Sequence, residues 1–298
     1  MNSTNVGRYL LRINFRKPLK ANLTTLKSLH RQHLLHVPFE NLDVHFRRAF
    51  DLVPANVYDK IVNRKRGGFC YEVNSLFNDL LRSAGFKTKI ISGRVITDAG
   101  QPGPEYDHMA IIISVDHKEY LADVGFGDLF IEPIEVRAGI QFDGRNYFKI
   151  ESGAENDDGG YAIYMSPDNI HFHKKYLFTL AETPLNLFEG PCREKQVSPD
   201  SHFVKNTICT QLTDEGRITV YNEKFTETIG DQKTQAIISN DIQLKDILRK
   251  RFGILVAVFL LATSFGFGQR FDFIPDKDTI GGQVLPDRMV VPSIMNIK

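Results

Sequence analysis

The sequence predicts an α+β fold in which helices come first, antiparallel strands fill a barrel-like middle, and a mixed segment follows. Three observations carry this prediction. Apolar residues recur at three- and four-residue spacing up to about residue 85, β-branched runs broken by Gly, Pro and Asp come next, and helical spacing returns between residues 242 and 252. The 298 residues are ample to bury a core and suggest two domains, or one domain with lobes.

Two helices in the first third of the chain have clear boundary signals. Asn22 is a typical helix-start residue, and Pro38 ends the same helix because it disfavours helical backbone at Val37. The second helix is predicted over 70–84, where the apolar residues follow the i, i+3, i+4, i+7 pattern. Gly85 stands where a glycine commonly ends a helix.

The apolar pattern changes to the period of strands after Gly85. Runs rich in β-branched residues are separated by residues typical of turns, which predicts antiparallel hairpins. The predicted strands span residues 89–96, 108–115, 118–124, 142–150, 161–165, 172–178 and 218–221.

Charge and cysteine content exclude several classes of protein. The 37 Lys and Arg residues against 36 Asp and Glu residues give a formal charge of +1, which argues against a dedicated nucleic-acid binder. Cys70, Cys192 and Cys209 are too few and too scattered for a disulfide scaffold or a Cys-based zinc site. The first twenty residues hold no apolar core of a signal peptide, so a reducing, cytoplasmic setting is expected.

Three histidines at three-residue spacing raise the question of a metal site. His30, His33 and His36 lie on one predicted helix, but no carboxylate or thiol motif completes a ligand set. Amphipathic helices often carry His at the boundary of their apolar face. We therefore predict no metal site.

A long apolar run follows the last predicted helix. Residues 252–268 carry no charge over 17 positions and are flanked by basic residues. A helix that spans a membrane needs about 20 apolar residues, so we favour a packed or tail segment. The run leaves a membrane anchor open as the alternative.

The segment around Cys70 is the most informative for chemistry. Gly67 and Gly68 allow a sharp turn, after which the predicted helix begins. A thiol at a helix N-terminus faces the positive end of the helix dipole, which favours the thiolate, and the free N–H groups could hold an oxyanion. The alternative is an inert buried cysteine, and a partner residue has to decide between the two.

His108 and Asp123 are the candidate partners. His108 opens a strongly apolar strand, and Asp123 interrupts the next one, where a buried carboxylate is costly unless it is paired. A hairpin near 115–119 would return Asp123 towards His108. A carboxylate bonded to an imidazole fixes its tautomer, so Cys70, His108 and Asp123 fit the order of nucleophile, base and orienting acid.

Several blocks of the chain together resemble the arylamine N-acetyltransferases. The most specific block is Arg-Gly-Gly-Phe-Cys at 66–70, and the intervals of 38 residues from Cys70 to His108 and 15 from His108 to Asp123 are those of the family's triad. The matching blocks span residues 9–13, 36–43, 66–74, 93–95, 108–109, 123–127, 198–203 and 251–254.

The resemblance implies a fold with a papain- or transglutaminase-like catalytic core. Its expected lobes are a helical bundle at 1–86 carrying Cys70, a β-barrel at 87–200 carrying His108 and Asp123, and an α/β lid at 201–254. The family pattern usually ends near residue 254, so residues 255–298 would be an extra tail of unknown role.

The resemblance also implies site residues. It assigns the catalytic roles to Cys70, His108 and Asp123, and it suggests that Glu40 and Arg66 pair to brace the nucleophile loop. Residues expected to border the cleft for the acyl donor and the acceptor are Gly125, Phe126, Gly127 and Phe130.

The activity that the resemblance implies is acetyl transfer from acetyl-CoA to arylamines, hydrazines or N-hydroxyarylamines through an acetyl-cysteine. Acetyl-CoA would be a co-substrate, with no tightly bound cofactor, and the chain would be a monomer or a homodimer. A cysteine amidase or an amide synthase with the same triad is the first alternative. A non-catalytic binding protein on the same fold is the second.

Overall fold

The computed structural model describes residues 1–153 and 160–255. The helices are α1 Ser3–Arg12, α2 Leu23–His36, α3 Leu42–His45, α4 Pro54–Tyr58, α5 Cys70–Ser83, α6 Glu189–Val197, α7 His202–Lys205 and α8 Asp241–Phe252. The strands are β1 Phe39–Glu40, β2 Lys87–Val95, β3 His108–Val115, β4 Lys118–Ala122, β5 Ile134–Glu135, β6 Ile140–Phe142, β7 Tyr147–Ser152, β8 Tyr161–Ser166, β9 His173–Phe178, β10 Ile208–Leu212, β11 Gly216–Tyr221, β12 Lys224–Ile229 and β13 Gln232–Ile237.

The predicted extra tail lies outside the described residues apart from Leu255, and so does the apolar run beyond that residue. Among the residues that the structure describes, no helix is long and apolar enough to cross a membrane.

The helices α2 and α5 begin and end where the boundary signals in the sequence predict. The side chain of Asn22 accepts a hydrogen bond from the Thr25 amide at 2.9 Å, and Val37 before the proline is extended. The helix α5 begins at Cys70, and the residue after its last turn, Gly85, has a positive φ of 89°. Both helices are amphipathic, and they bury their apolar faces in one core with α1.

The predicted barrel is present as an eight-stranded antiparallel sheet with the order β5-β4-β3-β2-β9-β8-β7-β6. Its two edge strands are joined by the side chain of Gln141, which bonds the backbone N–H and C=O of Glu135 at 3.0 and 2.8 Å. The α+β fold with a strand-rich barrel in its middle is therefore confirmed.

The strand β3 is apolar from Met109 to Ile113 because both of its faces are covered there, whereas Ser114 near its end is exposed. Ile111 and Ile113 pack against the helices, whereas Ala110 and Ile112 pack inside the barrel. The helical part and the barrel thus share β3, and α5 lies directly against it.

The prediction of one continuous strand over 142–150 is wrong, because the chain makes a tight turn between residues 142 and 147. β6 ends at Phe142 and β7 begins at Tyr147. The carboxylate of Asp143 holds the turn by accepting hydrogen bonds from the amides of Arg145 and Asn146, both at 2.9 Å. Asp at the start of a tight turn is a common arrangement for this reason.

The last part of the described chain forms a second antiparallel sheet with the order β1-β10-β11-β12-β13, covered by α8. Of its strands only β11 was predicted. β12 and β13 are rich in Lys, Thr, Glu and Gln, and every residue of β13 is exposed, so no apolar alternation marks them. The pairing of β1 with β10 ties this sheet to the segment that follows α2.

Candidate active site

Cys70 lies at the start of α5, at the end of a tightly packed loop. It is 6% exposed and contacts a mainly aromatic cluster that includes Phe69 and Phe188. A Cβ at Gly67 would lie 2.0 Å from the Pro38 carbonyl oxygen, so only glycine fits there. The loop is therefore held close against the end of α2.

His108 and Asp123 are brought together by the β3–β4 hairpin, as the sequence predicted. His108 is the first residue of β3, and Asp123 follows β4 directly, one residue beyond the pair Ile111–Ala122. The Nε2 of His108 donates to Oδ2 of Asp123 at 2.6 Å, and the two residues are 3% and 2% exposed. The thiol of Cys70 is close enough to His108 to help raise the pKa of the imidazole.

The electrostatics favour a protonated imidazole. Burial alone would lower the pKa of His108, but the charge and hydrogen bond of Asp123, with the hydrogen bond of Cys70, raise it to about 10. Burial would raise the pKa of Asp123, and the charge of His108 lowers it instead. Since the pKa of His108 is raised, the stability it contributes is fully present below its ordinary value of 6.5 and is lost as the pH rises through about 10.

Asn74 holds Asp123 in place, and sequence reasoning missed it. It lies one turn after Cys70 on α5, and its Nδ2 donates to Oδ1 of Asp123 at 3.0 Å and to the Met109 carbonyl at 2.6 Å. Its Oδ1 accepts from the Val124 amide at 2.9 Å. The available signal was its position four residues after Cys70, which places both on one face of the helix.

The segment before His108 is anchored by residues that the sequence also did not reveal. The hydroxyl of Tyr71 lies 3.0 Å from the carbonyl oxygen of Tyr106 and 2.9 Å from that of Asp107. Lys195 of α6 contacts Asp107 at 2.5 Å. Tyr106 has a positive φ of 59°, a conformation that these contacts hold in place.

Glu40 and Arg66 lie together in a buried ion cluster, as the resemblance suggested. Arg66 Nη2 is 2.8 Å from Glu40 Oε1 and 2.9 Å from Asp43 Oδ1. Lys60 extends the cluster, 2.8 Å from Asp43 and 2.9 Å from Glu72. Buried charges are tolerated when they are paired in this way, and the cluster lies beneath the loop that carries Cys70.

Glu72 links the ion cluster to the nucleophile loop. Its Oε2 accepts from the Phe69 amide at 2.9 Å, just before Cys70. Burial raises the pKa of Glu72 to about 7, against the opposing effect of Lys60. The predictions included Glu40 and Arg66 only; Asp43, Lys60 and Glu72 gave no separate signal.

The four residues expected at the donor and acceptor cleft lie in different surroundings. Phe126 is half-buried, with its ring centroid 5.3 Å from that of His108, and Gly127 has a positive φ of 97°. Phe130 is 1% exposed and packs in the barrel core, where its ring stacks on that of His30 at 5.6 Å between centroids. Gly125 is buried against α5.

Tyr176 is a further neighbour of His108 that the sequence did not single out. Its ring centroid is 5.3 Å from that of His108, and its side chain is fully buried. Burial, with the charge of Asp123, raises the pKa of its phenol well above the usual value. Tyr176 therefore stays neutral and closes the site on the barrel side.

The substitution Gly125→Ala is expected to disturb Cys70 directly. A Cβ at this position would lie 2.6 Å from the Cα of Cys70 and 2.8 Å from Nδ2 of Asn74, so backbone has to shift. We expect the rate of Cys70 alkylation by iodoacetamide to fall by about 10- to 100-fold. Gly190→Ala is the matched control, because nothing lies within 4 Å of a Cβ there. A Gly125→Ala protein with unchanged thermal stability and reactivity would contradict the packing described.

The three histidines of α2 each bond to a different group. The Nδ1 of His30 is 3.1 Å from the Ile131 carbonyl oxygen, and that of His33 is 2.7 Å from the Tyr9 hydroxyl. The Nδ1 of His36 is 2.9 Å from a backbone carbonyl oxygen one turn earlier in α2. Among residues 1–153 and 160–255, no group of three or more His, Cys, Asp or Glu side chains could hold a metal ion.

The arrangement is suited to nucleophilic chemistry. An imidazole that is hydrogen-bonded to a carboxylate lies beside a thiol that helps to raise its pKa, and all three groups are shielded from water. Such a set generates a thiolate–imidazolium pair that attacks a carbonyl carbon and holds the acyl group as a thioester. Acyl transfer is therefore the chemistry that the site can perform.

Comparison with known proteins agrees with this chemistry. The family model described as N-acetyltransferase matches residues 22–260. The arylamine N-acetyltransferase of Escherichia coli is 28% identical over 253 residues, covering 84% of this chain and 88% of that protein.

Solved structures of arylamine N-acetyltransferases also superpose on this chain. The arylamine N-acetyltransferase of Salmonella typhimurium superposes with a TM-score of 0.79 at 26% identity, covering 85% of this chain and 92% of that chain. A Bacillus cereus arylamine N-acetyltransferase, described as having a unique Cys-His-Glu catalytic triad, superposes with a TM-score of 0.78 at 23% identity, covering 86% of this chain and all of that one. The latter similarity supports the fold alone.

Proposed function

The chain belongs to the arylamine N-acetyltransferase family, and on that premise we propose that it moves an acetyl group from acetyl-CoA to an arylamine, a hydrazine or an N-hydroxyarylamine. It is an acyltransferase. The single observation that carries the proposal is the 2.6 Å hydrogen bond between the buried side chains of His108 and Asp123, beside the thiol of Cys70.

In the first step, His108 takes the proton of Cys70, and the thiolate attacks the acetyl carbon of acetyl-CoA. Backbone N–H groups at the start of α5 are the proposed donors to the developing oxyanion. The C–S bond to CoA breaks, and the proton passes to the leaving thiolate. The products are free CoA and an acetyl-cysteine at residue 70.

In the second step, the acceptor amine attacks the acetyl-cysteine. An aromatic amine is neutral at pH 7 and therefore nucleophilic, and His108 accepts its proton as the amide forms. The thiolate of Cys70 leaves, and the enzyme returns to its starting state. Asp123 keeps the imidazole aimed through both steps.

Aromatic side chains near the reacting groups support an aromatic acceptor. Phe126 is half-buried beside His108. Phe203 is also half-buried, and its ring centroid lies 4.6 Å from that of Phe69, the residue before Cys70. Such surfaces stack on an aromatic ring and keep water away from the thioester. We assign the acceptor to this side of the site.

The proposal treats acetyl-CoA as a co-substrate that leaves after each cycle. The proposed lobes are 1–86, 87–200 and 201–254, and we place the donor between the second and third of them, beside Gly127. Cys70, Cys192 and Cys209 are free thiols, which supports action in a reducing compartment such as the cytoplasm.

Intact-protein mass measurement tests the proposed function. With acetyl-CoA alone, the mass of the protein should rise by one acetyl group. With an arylamine added, the protein should return to its original mass and the N-acetylated amine should accumulate. Absence of the adduct would refute the proposal, and equal loss of acetyl-CoA with and without amine would favour the hydrolase alternative.

A further inference from the structure

We propose that His30 is a positioning residue for Asp123, and that it acts as a neutral hydrogen-bond acceptor for the Asp123 backbone. This inference rests on the proposed function, because it concerns the acid that keeps His108 aimed. His30 belongs to α2, which contributes no residue to the Cys70, His108 and Asp123 set.

The ring of His30 lies directly behind Asp123. Its side chain is 0% exposed, and its Nε2 is 3.3 Å from the backbone nitrogen of Asp123 and 3.2 Å from its carbonyl oxygen. On the other side, Nδ1 is 3.1 Å from the carbonyl oxygen of Ile131. One histidine thus bridges the two ends of the loop from Asp123 to Ile131.

The chemistry of these partners selects one tautomer. Nδ1 faces a carbonyl oxygen, which only accepts, whereas Nε2 lies near both the N–H and the carbonyl oxygen of Asp123. A neutral ring therefore makes two hydrogen bonds when Nδ1 carries the proton and donates to Ile131. Burial is the largest influence on this ring and lowers the pKa of His30 to about 4, although its hydrogen bonds and the carboxylates of Asp123 and Glu132 act in the opposite direction. The neutral ring then leaves a lone pair on Nε2, which accepts from the N–H of Asp123.

The opposite tautomer would satisfy fewer of these groups, because a proton on Nε2 would make a single hydrogen bond, to the carbonyl oxygen of Asp123 at 3.2 Å. A proton on Nε2 would leave the Nδ1 lone pair facing the Ile131 carbonyl, and the Asp123 N–H would lose its acceptor. A buried backbone N–H without a partner costs free energy comparable to a lost hydrogen bond. The single proton therefore belongs on Nδ1.

The position of Asp123 explains why it needs such support. β4 ends at Ala122, so Asp123 lies just beyond the strand pairing that fixes its neighbours. The His30 ring is itself held by Phe130, stacked at 5.6 Å, and by the edge of Phe77 at 6.0 Å. A rigid ring behind the backbone fixes the direction in which the carboxylate points.

Two substitutions separate the two nitrogens of the ring. His30→Asn keeps an amide near the Nδ1 position and loses the contact with Asp123, whereas His30→Gln extends an amide oxygen to the Nε2 position and keeps an acceptor there. His33→Asn is the matched control, because His33 is equally buried on the same helix and bonds to Tyr9 instead.

The pH dependence of Cys70 alkylation by iodoacetamide is the readout, together with kcat and KM for acetyl transfer. In His30→Asn, the pH of half-maximal alkylation should move upward by about one unit, because a misaimed carboxylate stabilises the imidazolium less. We expect kcat to fall about 10-fold with little change in KM. His30→Gln should stay close to the wild type, and His33→Asn should lose stability without moving the profile.

A wild-type pH profile of alkylation in His30→Asn would overturn the inference. An equal shift of that profile in His33→Asn would do so as well, and so would a loss of kcat in His30→Gln as large as that in His30→Asn. If the wild type forms no acetyl-cysteine with acetyl-CoA, the proposed function fails instead. Nitrogen NMR of the wild type needs no variant: it should show His30 neutral with its proton on Nδ1 between pH 6 and pH 9. A charged ring or the other tautomer would refute the inference.

Discussion

Cys70→Ala is expected to abolish acetyl transfer and the acetylated form of the protein together. The proposed reaction passes through a thioester on this sulfur, and an alanine leaves no atom to carry the acyl group. In Cys70→Ser, the rate of acetyl transfer should fall by at least about 10³-fold or below detection, because a hydroxyl is much harder to ionise than a thiol. Both variants should fold, since the side chain is small and lies at the start of a long helix.

The control for this substitution is Cys192→Ala. Cys192 belongs to the same buried cluster as Cys70, but burial raises the pKa of its thiol well above the usual value, so it stays protonated. Its removal should lower thermal stability and leave the acetylated form intact. Full turnover in Cys70→Ala, or an acetyl group found on Cys192, would remove the proposed nucleophile.

Asp123→Asn is expected to lower kcat by about 10³- to 10⁴-fold, as the loss of the orienting acid does in other catalytic triads. The asparagine keeps the size of the side chain and an oxygen for Asn74 and Gly125, so the loop should hold. The charge that raises the pKa of His108 is removed, however, and burial then lowers that pKa. The imidazole becomes neutral near pH 7, and it no longer pairs with a thiolate.

The pH dependence of stability gives a second measurement on the same variant. In the wild type, the contribution of the protonated His108 is lost as the pH rises through about 10. In Asp123→Asn, the free energy of unfolding should no longer show this decrease at alkaline pH. Asp143→Asn is the matched control, because Asp143 is a buried carboxylate that bonds to backbone amides of the barrel instead. Normal turnover in Asp123→Asn would show that another group orients His108.

The elements that could be predicted are those whose signals are local. Asn22 and Pro38 mark α2 by capping and by backbone restriction, and the pattern of 108–124 predicts a hairpin that brings His108 and Asp123 together. The apolar run of 109–113 is continuous because both faces of β3 are buried there. Each of these signals depends on neighbours within a few residues.

The features that could not be predicted depend on contacts between distant parts of the chain. Lys60 and Glu72 look like ordinary surface charges in the sequence, and only the fold buries them together. Glu40 and Arg66 are 26 residues apart, and the family resemblance, not their spacing, suggested the pair. Tyr176 comes from β9, which pairs with the other edge of β2, and it meets His108 across Gly93, which has no side chain to separate them.

The shared strand β3 has a consequence for how substrates are accommodated. α5 carries the proposed nucleophile and packs on the same strand that begins with His108, so sulfur and imidazole belong to one rigid block. Their separation is set by the packing of α5 against β3. Selectivity among acyl donors and amines must then arise at the rim, where side chains can change without disturbing the reacting pair.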